Sequence, residues 1–179
     1  MSFPFETAIY LQARLGLKYL VESGTGSGNT ARQCAAMFDR VWTVELNPAV
    51  FAKAKQELAD CPNVTVMLGQ SVNVFPVILP QLDAPTLFWL DGHWVGSGPR
   101  LAIECPLLEE LRMLGGLRES DVVMIDDARL FLNPPGDNHR PEEWPSMDDI
   151  KATLSNWGHP VQQKLLGTET PNDVLMLTR

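Results

Sequence analysis

Apolar residues fall along this chain in short runs of strand length, and between the runs they recur at helical spacing. A helix from about Glu6 to Leu15 feeds a first strand at 18–21. A helix over 29–38 and a strand over 41–45 follow. Pro48 opens the next helix, which carries Phe51, Ala54 and Leu58 on one face. Strand 64–68 ends at Gly69, and a short helix covers 71–79. The run Thr86-Leu87-Phe88-Trp89-Leu90 carries no charge, as a strand buried on both faces requires. A helix from Pro106 to Leu114 leads to strand 121–125. After a helix over 147–157, two runs at 161–166 and 173–178 are joined only by a short polar connection. Such a connection suits a hairpin, so the last strand should run antiparallel to its neighbours. Strands alternating with helices predict βαβ units and an α/β fold: a doubly wound, seven-stranded, mostly parallel sheet with an antiparallel last strand. With no repeat and no low-complexity segment, residues 1–179 read as a single domain.

The first strand runs into Val21-Glu22-Ser23-Gly24-Thr25-Gly26-Ser27-Gly28-Asn29-Thr30, and the second closes on Glu45. A strand, a glycine turn, a helix and a strand ending in a carboxylate together hold a nucleoside in many α/β sheets. Glycines let the backbone approach a ligand, and the free N–H groups opening the next helix suit an anionic group. A dinucleotide site spaces its glycines G-x-G-x-x-G, which here needs glycine at position 29, where Asn29 stands. No Gly-Lys-Ser/Thr follows either, so the P-loop pattern fails. A glycine turn that binds nothing is the bland alternative, and the placement of Glu45 weighs against it.

What stands here is E-x-G-x-G-x-G from Glu22 to Gly28, which resembles motif I of the class I S-adenosylmethionine-dependent methyltransferases. The hairpin-ended strand pattern extends that resemblance over nearly the whole chain. It implies a Rossmann-like methyltransferase fold with strand order 3-2-1-4-5-7-6 and a ligand across the carboxyl ends of strands one, two and four. The switch-point rule for open α/β sheets places a ligand at the same edge. The resemblance implies cofactor contacts from Glu22, Gly24, Thr25, Gly26, Ser27 and Gly28 in the loop. It further implies Glu45 at the ribose, Gln70 and Ser71 near adenine, and Leu46 and Asp91 among the cofactor contacts. A helix cap is the competing reading of Ser71.

Strand four ends Leu90-Asp91-Gly92-His93-Trp94 and strand five ends Ile125-Asp126-Asp127-Ala128-Arg129. Three carboxylates converging there would repel one another unless a cation or protons intervene. Hard oxygen ligands suit Mg²⁺ or Mn²⁺. The arrangement is similar to the metal-dependent O-methyltransferases of the catechol and macrolide-sugar type. That similarity implies Asp91, Asp126 and Asp127 as catalytic residues and metal ligands, lowering the pKa of an acceptor hydroxyl. His93 is the candidate general base. Competing readings make Asp91-Gly92 an ordinary turn and one of the paired aspartates a cap or a partner of Arg129. Glu104 reads as a helix start, Trp94 as a residue beside the site, and the loop holding His139 and Arg140 as a lid.

A formal charge of −8 argues against a polyanionic partner, so nucleic acid is not expected. No apolar run approaches the roughly 20 residues that span a bilayer, and the N-terminus lacks a signal-peptide pattern. Three scattered cysteines, Cys34, Cys61 and Cys105, suit a reduced, cytoplasmic setting. The expectation is a methyltransferase acting on a small molecule at oxygen, with metal assistance an open question and a homodimer compatible with the small size. A metal-free N-methyltransferase of the same fold and a non-catalytic cofactor-binding or regulatory protein are the alternatives.

Overall fold

The computed structural model describes residues 3–94, 103–133, 135–136 and 138–179. In chain order the main elements are α1 (Phe5–Leu15), β1 (Tyr19–Ser23), α2 (Asn29–Ala35), β2 (Arg40–Glu45), α3 (Pro48–Glu57), β3 (Val64–Leu68) and α4 (Ser71–Ile78). They continue with β4 (Thr86–Leu90), α5 (Leu107–Leu114), β5 (Val122–Ile125), α6 (Arg129–Leu132), α7 (Met147–Ser155), β6 (Gln162–Leu166) and β7 (Val174–Thr178). The strands form one seven-stranded sheet in the order β3-β2-β1-β4-β5-β7-β6. All neighbours pair parallel except β7, which is antiparallel to both β5 and β6. The mostly parallel sheet with an antiparallel last strand is what the hydrophobic pattern predicts, and the strand order is the one the family resemblance implies.

Because successive strand residues point to opposite faces, each central strand divides its apolar residues between two cores. Val21, Trp42, Phe88 and Val123 face the layer made by α4, α5 and α7, through Phe75, Leu111 and Ile150. Leu20, Val41, Leu87 and Val122 face the layer of α1 and α2, through Leu11, Ala31 and Cys34. Burial on both sides is why these strands carry so little alternation.

Boundaries differ from the sequence reading for identifiable reasons. β1 runs two residues further, to Ser23, because Glu22 and Ser23 are laddered on both sides by β2 and β4. α2 stops at Ala35 rather than 38, and the Asn63 amide takes the carbonyls of Ala35 and Phe38, both at 2.9 Å. α5 starts at Leu107, with Pro106 at the N-cap. Ser71 is not a cap: Gln70 holds that position, and the buried Ser71 hydroxyl turns to Glu110 on α5. α6 is four residues long, too short for any periodicity to announce it.

The edge of the sheet away from the carboxyl ends is locked by one residue pair. Asp121 accepts from the Thr86 N–H at 2.9 Å and from the Arg118 Nε at 2.9 Å, and Arg118 also donates to the carbonyls of Leu82 and Ala84. Among the described residues, no helix is long and apolar enough to cross a membrane.

Candidate active site

A pocket of about 760 Å³ opens over the carboxyl ends of β1, β2 and β4. Its floor depends on Gly24, whose φ of +87° disfavours any other residue. A Cβ there would stand 2.1 Å from the Asp91 carbonyl oxygen, so the glycine loop lies directly on the exit of β4. Glu45 is fixed at the rim from two sides. Its Oε2 accepts from the Gly26 N–H at 3.0 Å and its Oε1 from the Asn47 N–H at 2.8 Å. A carboxylate has about four acceptor positions, so each oxygen can still accept from a vicinal diol.

Of the residues expected to hold a cofactor, Gly24, Gly26, Glu45, Leu46, Gln70, Ser71 and Asp91 line this pocket. Glu22, Thr25, Ser27 and Gly28 are not among its lining residues. Glu22 is 1% exposed, which keeps it from direct contact with a ligand there. It supports the loop from beneath: Thr43 Oγ1 donates to Glu22 Oε2 at 2.5 Å, and Thr43 also meets Thr25 Oγ1 at 2.6 Å. Burial pushes the Glu22 carboxyl up to about 8, with the Thr43 hydrogen bond opposing and the Glu45 charge adding to the rise.

Beyond the pocket floor lie the acidic residues. Asp91 is half-buried, and its carboxyl is raised well above the ordinary range by burial, then by the charges of Asp126, Glu22 and Asp127 and a hydrogen bond with Asp126. His93 lies between two acids, its Nε2 at 2.9 Å from Asp127 Oδ2 and 3.9 Å from Asp91 Oδ1. The imidazole is wedged edge-on against Trp144, with ring centroids 5.3 Å apart, and against Phe131. Asp127 adopts φ of +52°, costly for a residue with a Cβ but tolerated by aspartate. Burial pushes the Asp127 carboxyl up, but the hydrogen bonds and charges of His93 and Arg129 outweigh it and leave it below the ordinary range. Asp126 and Asp127 are both buried and neither lines the pocket, whereas His93 and Asp91 do.

Three groups escaped the sequence reading. Asp173, read there as the first residue of the last strand, precedes β7, and its carboxylate converges with Asp126 and Asp127 within 4.8 Å. An antiparallel strand begins where its parallel neighbours end, so the topology was the available signal. Glu110, 1% exposed on α5, sits under Gly92 and Ser23, with burial raising its carboxyl. Glu104, read as a helix start, is instead fully buried at the centre of a network. Its carboxylate accepts from the Arg140 N–H at 2.9 Å and the Trp144 indole at 3.1 Å, and its own N–H donates to Glu143. Trp94 stands edge-on to His139 at 5.2 Å and donates its N–H to the Glu104 carbonyl. The residues flanking the β4 exit are thereby joined to the loop before α7. Residues 95–102 lie outside the described residues, as do positions 134 and 137 of the loop read as a lid.

No protein-family model matches the sequence, and no curated protein does. Solved structures do match. A provisionally assigned caffeoyl-CoA O-methyltransferase from Staphylococcus aureus shares 15% identity over 99% of this chain and 83% of its own, with a TM-score of 0.70. A methyltransferase from Podospora anserina bound to S-adenosylhomocysteine shares 16% identity over 99% and 80%, at 0.62. A provisionally assigned rRNA methylase from Clostridium thermocellum shares 15% identity over 99% and 98%, at 0.64. Identities this low establish architecture alone, and the architecture is unambiguous: this chain has the class I, Rossmann-like methyltransferase fold.

Proposed function

We propose that the protein is an S-adenosylmethionine-dependent methyltransferase whose acceptor is a small molecule methylated at oxygen. The observation that carries this reading is a pocket joining a ribose-type carboxylate, Glu45, to the imidazole of His93, which is paired with the buried Asp127 behind it. The cofactor supplies a methyl group on a sulfonium, the electrophile of an in-line displacement. Gly24 and Gly26 give the backbone access to it, Glu45 takes the ribose hydroxyls, and Leu46, Gln70 and Ser71 form the adenine side.

Positioning accounts for much of such a reaction, and the remaining demand is removal of the hydroxyl proton. If His93 Nε2 donates to Asp127, the imidazole lone pair lies on Nδ1, and this nitrogen takes the proton from the acceptor. Asp127 fixes the ring and stabilises the imidazolium that results, while Trp144 and Phe131 keep it from rotating. A formal charge of −8 supports a small acceptor over RNA, and methylation of rRNA fragments is the control that checks it.

Divalent-metal assistance is the second reading, favoured by the crowding of Asp91 against Asp126 and Asp127, which raises the Asp91 carboxyl. Asp91, Asp126 and Asp127 would hold Mg²⁺ or Mn²⁺, which would lower the pKa of the acceptor hydroxyl. As they stand these residues do not fit one: the Arg129 guanidinium is already paired with Asp127, whose other oxygen meets the His93 ring. An amine acceptor, with the acids as its counter-charges, is the remaining alternative and would need no metal.

Calorimetric titration with S-adenosylmethionine, with NADH as control, tests the proposal. Binding that Glu45→Ala weakens by at least ~10-fold, as expected for losing hydrogen bonds to a charged acceptor, supports it. Absence of binding to the wild-type protein refutes it.

A further inference from the structure

We infer that Arg129 is the built-in cation of the acidic cluster, holding the place of a divalent ion, so that the Asp127–His93 pair works without bound metal. Its catalytic consequence rests on the methyltransferase reading; its charge argument does not. Among the described residues, one group of three metal-type donors has ligand atoms converging within 4.8 Å: Asp126, Asp127 and Asp173, all buried. Arg129 is inserted into that group. The same nitrogen, Nη1, pairs with Asp127 Oδ1 at 2.5 Å and with Asp173 Oδ1. One cationic atom bridging two carboxylates is the topology a metal would have.

The second oxygens of Asp127 and Asp173 are engaged by the chain as well. Asp127 Oδ2 takes the His93 ring at 2.9 Å, and Asp173 Oδ2 accepts from Thr168 Oγ1 at 2.6 Å. The Asp173 carbonyl accepts from the Ala128 N–H at 2.8 Å, fastening the start of β7 to the turn that carries Asp127. The left-handed φ of Asp127 turns its carboxylate between Arg129 and His93 and is maintained despite its strain. A guanidinium is permanently charged and cannot accept a lone pair into an empty orbital, so it compensates the acids without polarising an acceptor oxygen. Proton removal then falls to His93, and Arg129 acts as a positioning residue through Asp127.

Mn²⁺ binding, followed by the loss of the free-ion electron paramagnetic resonance signal, tests this on the wild-type protein, R129M and R129K. The expected wild-type result is no stoichiometric site, with methyl transfer unaffected by EDTA. A stoichiometric wild-type site that D127N abolishes overturns the inference. For R129M the expected result is a loss of turnover of ~100-fold, the lower range of general acid–base effects, with S-adenosylmethionine affinity kept and R129K recovering part of the turnover. Full turnover in R129M also overturns it. If R129M does not fold, the wild-type Mn²⁺ and EDTA measurements decide alone. Failure of S-adenosylmethionine to bind would sink the methyltransferase reading but leave the Mn²⁺ result free to judge the role of Arg129.

Discussion

Glu22 offers a test of how the glycine loop is supported. The side chain is 1% exposed and its carboxyl rises from an ordinary 4.5 to about 8, chiefly through burial. At about 1.4 kcal/mol per unit of pKa, that rise disfavours the ionised form by about 5 kcal/mol. This is a ceiling, since relaxation and water entry soften the cost of a buried charge, and about 2 kcal/mol would still be measurable. The sign follows from proton counting. Below about pH 4.5 the folded and unfolded chains both carry the proton. Between 4.5 and 8 the unfolded chain releases it while the folded chain keeps it, so this group's contribution to stability declines as pH rises and levels off above 8. Glu22→Gln retains an acceptor for Thr43 and cannot ionise. Urea unfolding of both proteins from pH 5 to 9 should therefore show the variant gaining about 2–5 kcal/mol on the wild type by pH 8. Slopes from Asp91 and Glu110 largely cancel in the difference, although Asp91 is coupled to Glu22 and leaves a residue. Parallel stability curves would refute the assignment of a buried neutral carboxyl beneath the loop.

Three further perturbations probe the edge and its support. Gly24→Ala puts a Cβ 2.1 Å from the Asp91 carbonyl oxygen, and the left-handed backbone adds about 1–2 kcal/mol. S-adenosylmethionine affinity by calorimetry should fall at least ~10-fold while the circular dichroism spectrum is retained. His93→Gln should lower kcat by ~10²–10⁴-fold with little change in cofactor Kd, and unchanged kcat would remove the imidazole from the chemistry. Asp121→Ala leaves the Thr86 N–H and Arg118 without their shared acceptor. Because Arg118 is about half exposed, the loss should be about 2 kcal/mol rather than the 3–5 of a fully buried pair, read as a lowered urea midpoint.

The sheet was legible because its central strands are buried on both faces. Leu87 to Leu90 and Val122 to Ile125 carry unbroken apolar runs, and the polar connection after Leu166 announced the hairpin that reverses β7. What local pattern could not reveal were events decided by neighbours. Asn63 ends α2 from 28 residues away, and double-sided ladders draw Glu22 into β1 against its polarity. Motif I located the edge where the pocket opens, yet spacing alone does not tell a residue that lines the pocket from one that braces it. Glu22 and Gly24 are two positions apart in one motif. Glu22 is buried against Thr43 and does not line the pocket, whereas Gly24 does.

The acidic edge shows the same limit more sharply. Asp91, Asp126 and Asp127 follow parallel strands and so declare themselves by position, but the charge balance that decides their chemistry is supplied from elsewhere in the chain. Asp173 arrives because β7 runs backwards and so begins at the edge where its parallel neighbour β5 ends. Arg129 reaches both Asp127 and Asp173 from the first residue of a four-residue helix. An inventory of sequence carboxylates counts anions and therefore calls for a metal. Counting the partners as well, Arg129 bridges Asp127 and Asp173 and the His93 ring meets Asp127, so the site carries less unbalanced negative charge than its aspartates alone suggest. The choice between metal and imidazole as the agent that removes the proton therefore turns on Arg129, a residue that spacing alone marked only as a salt-bridge partner.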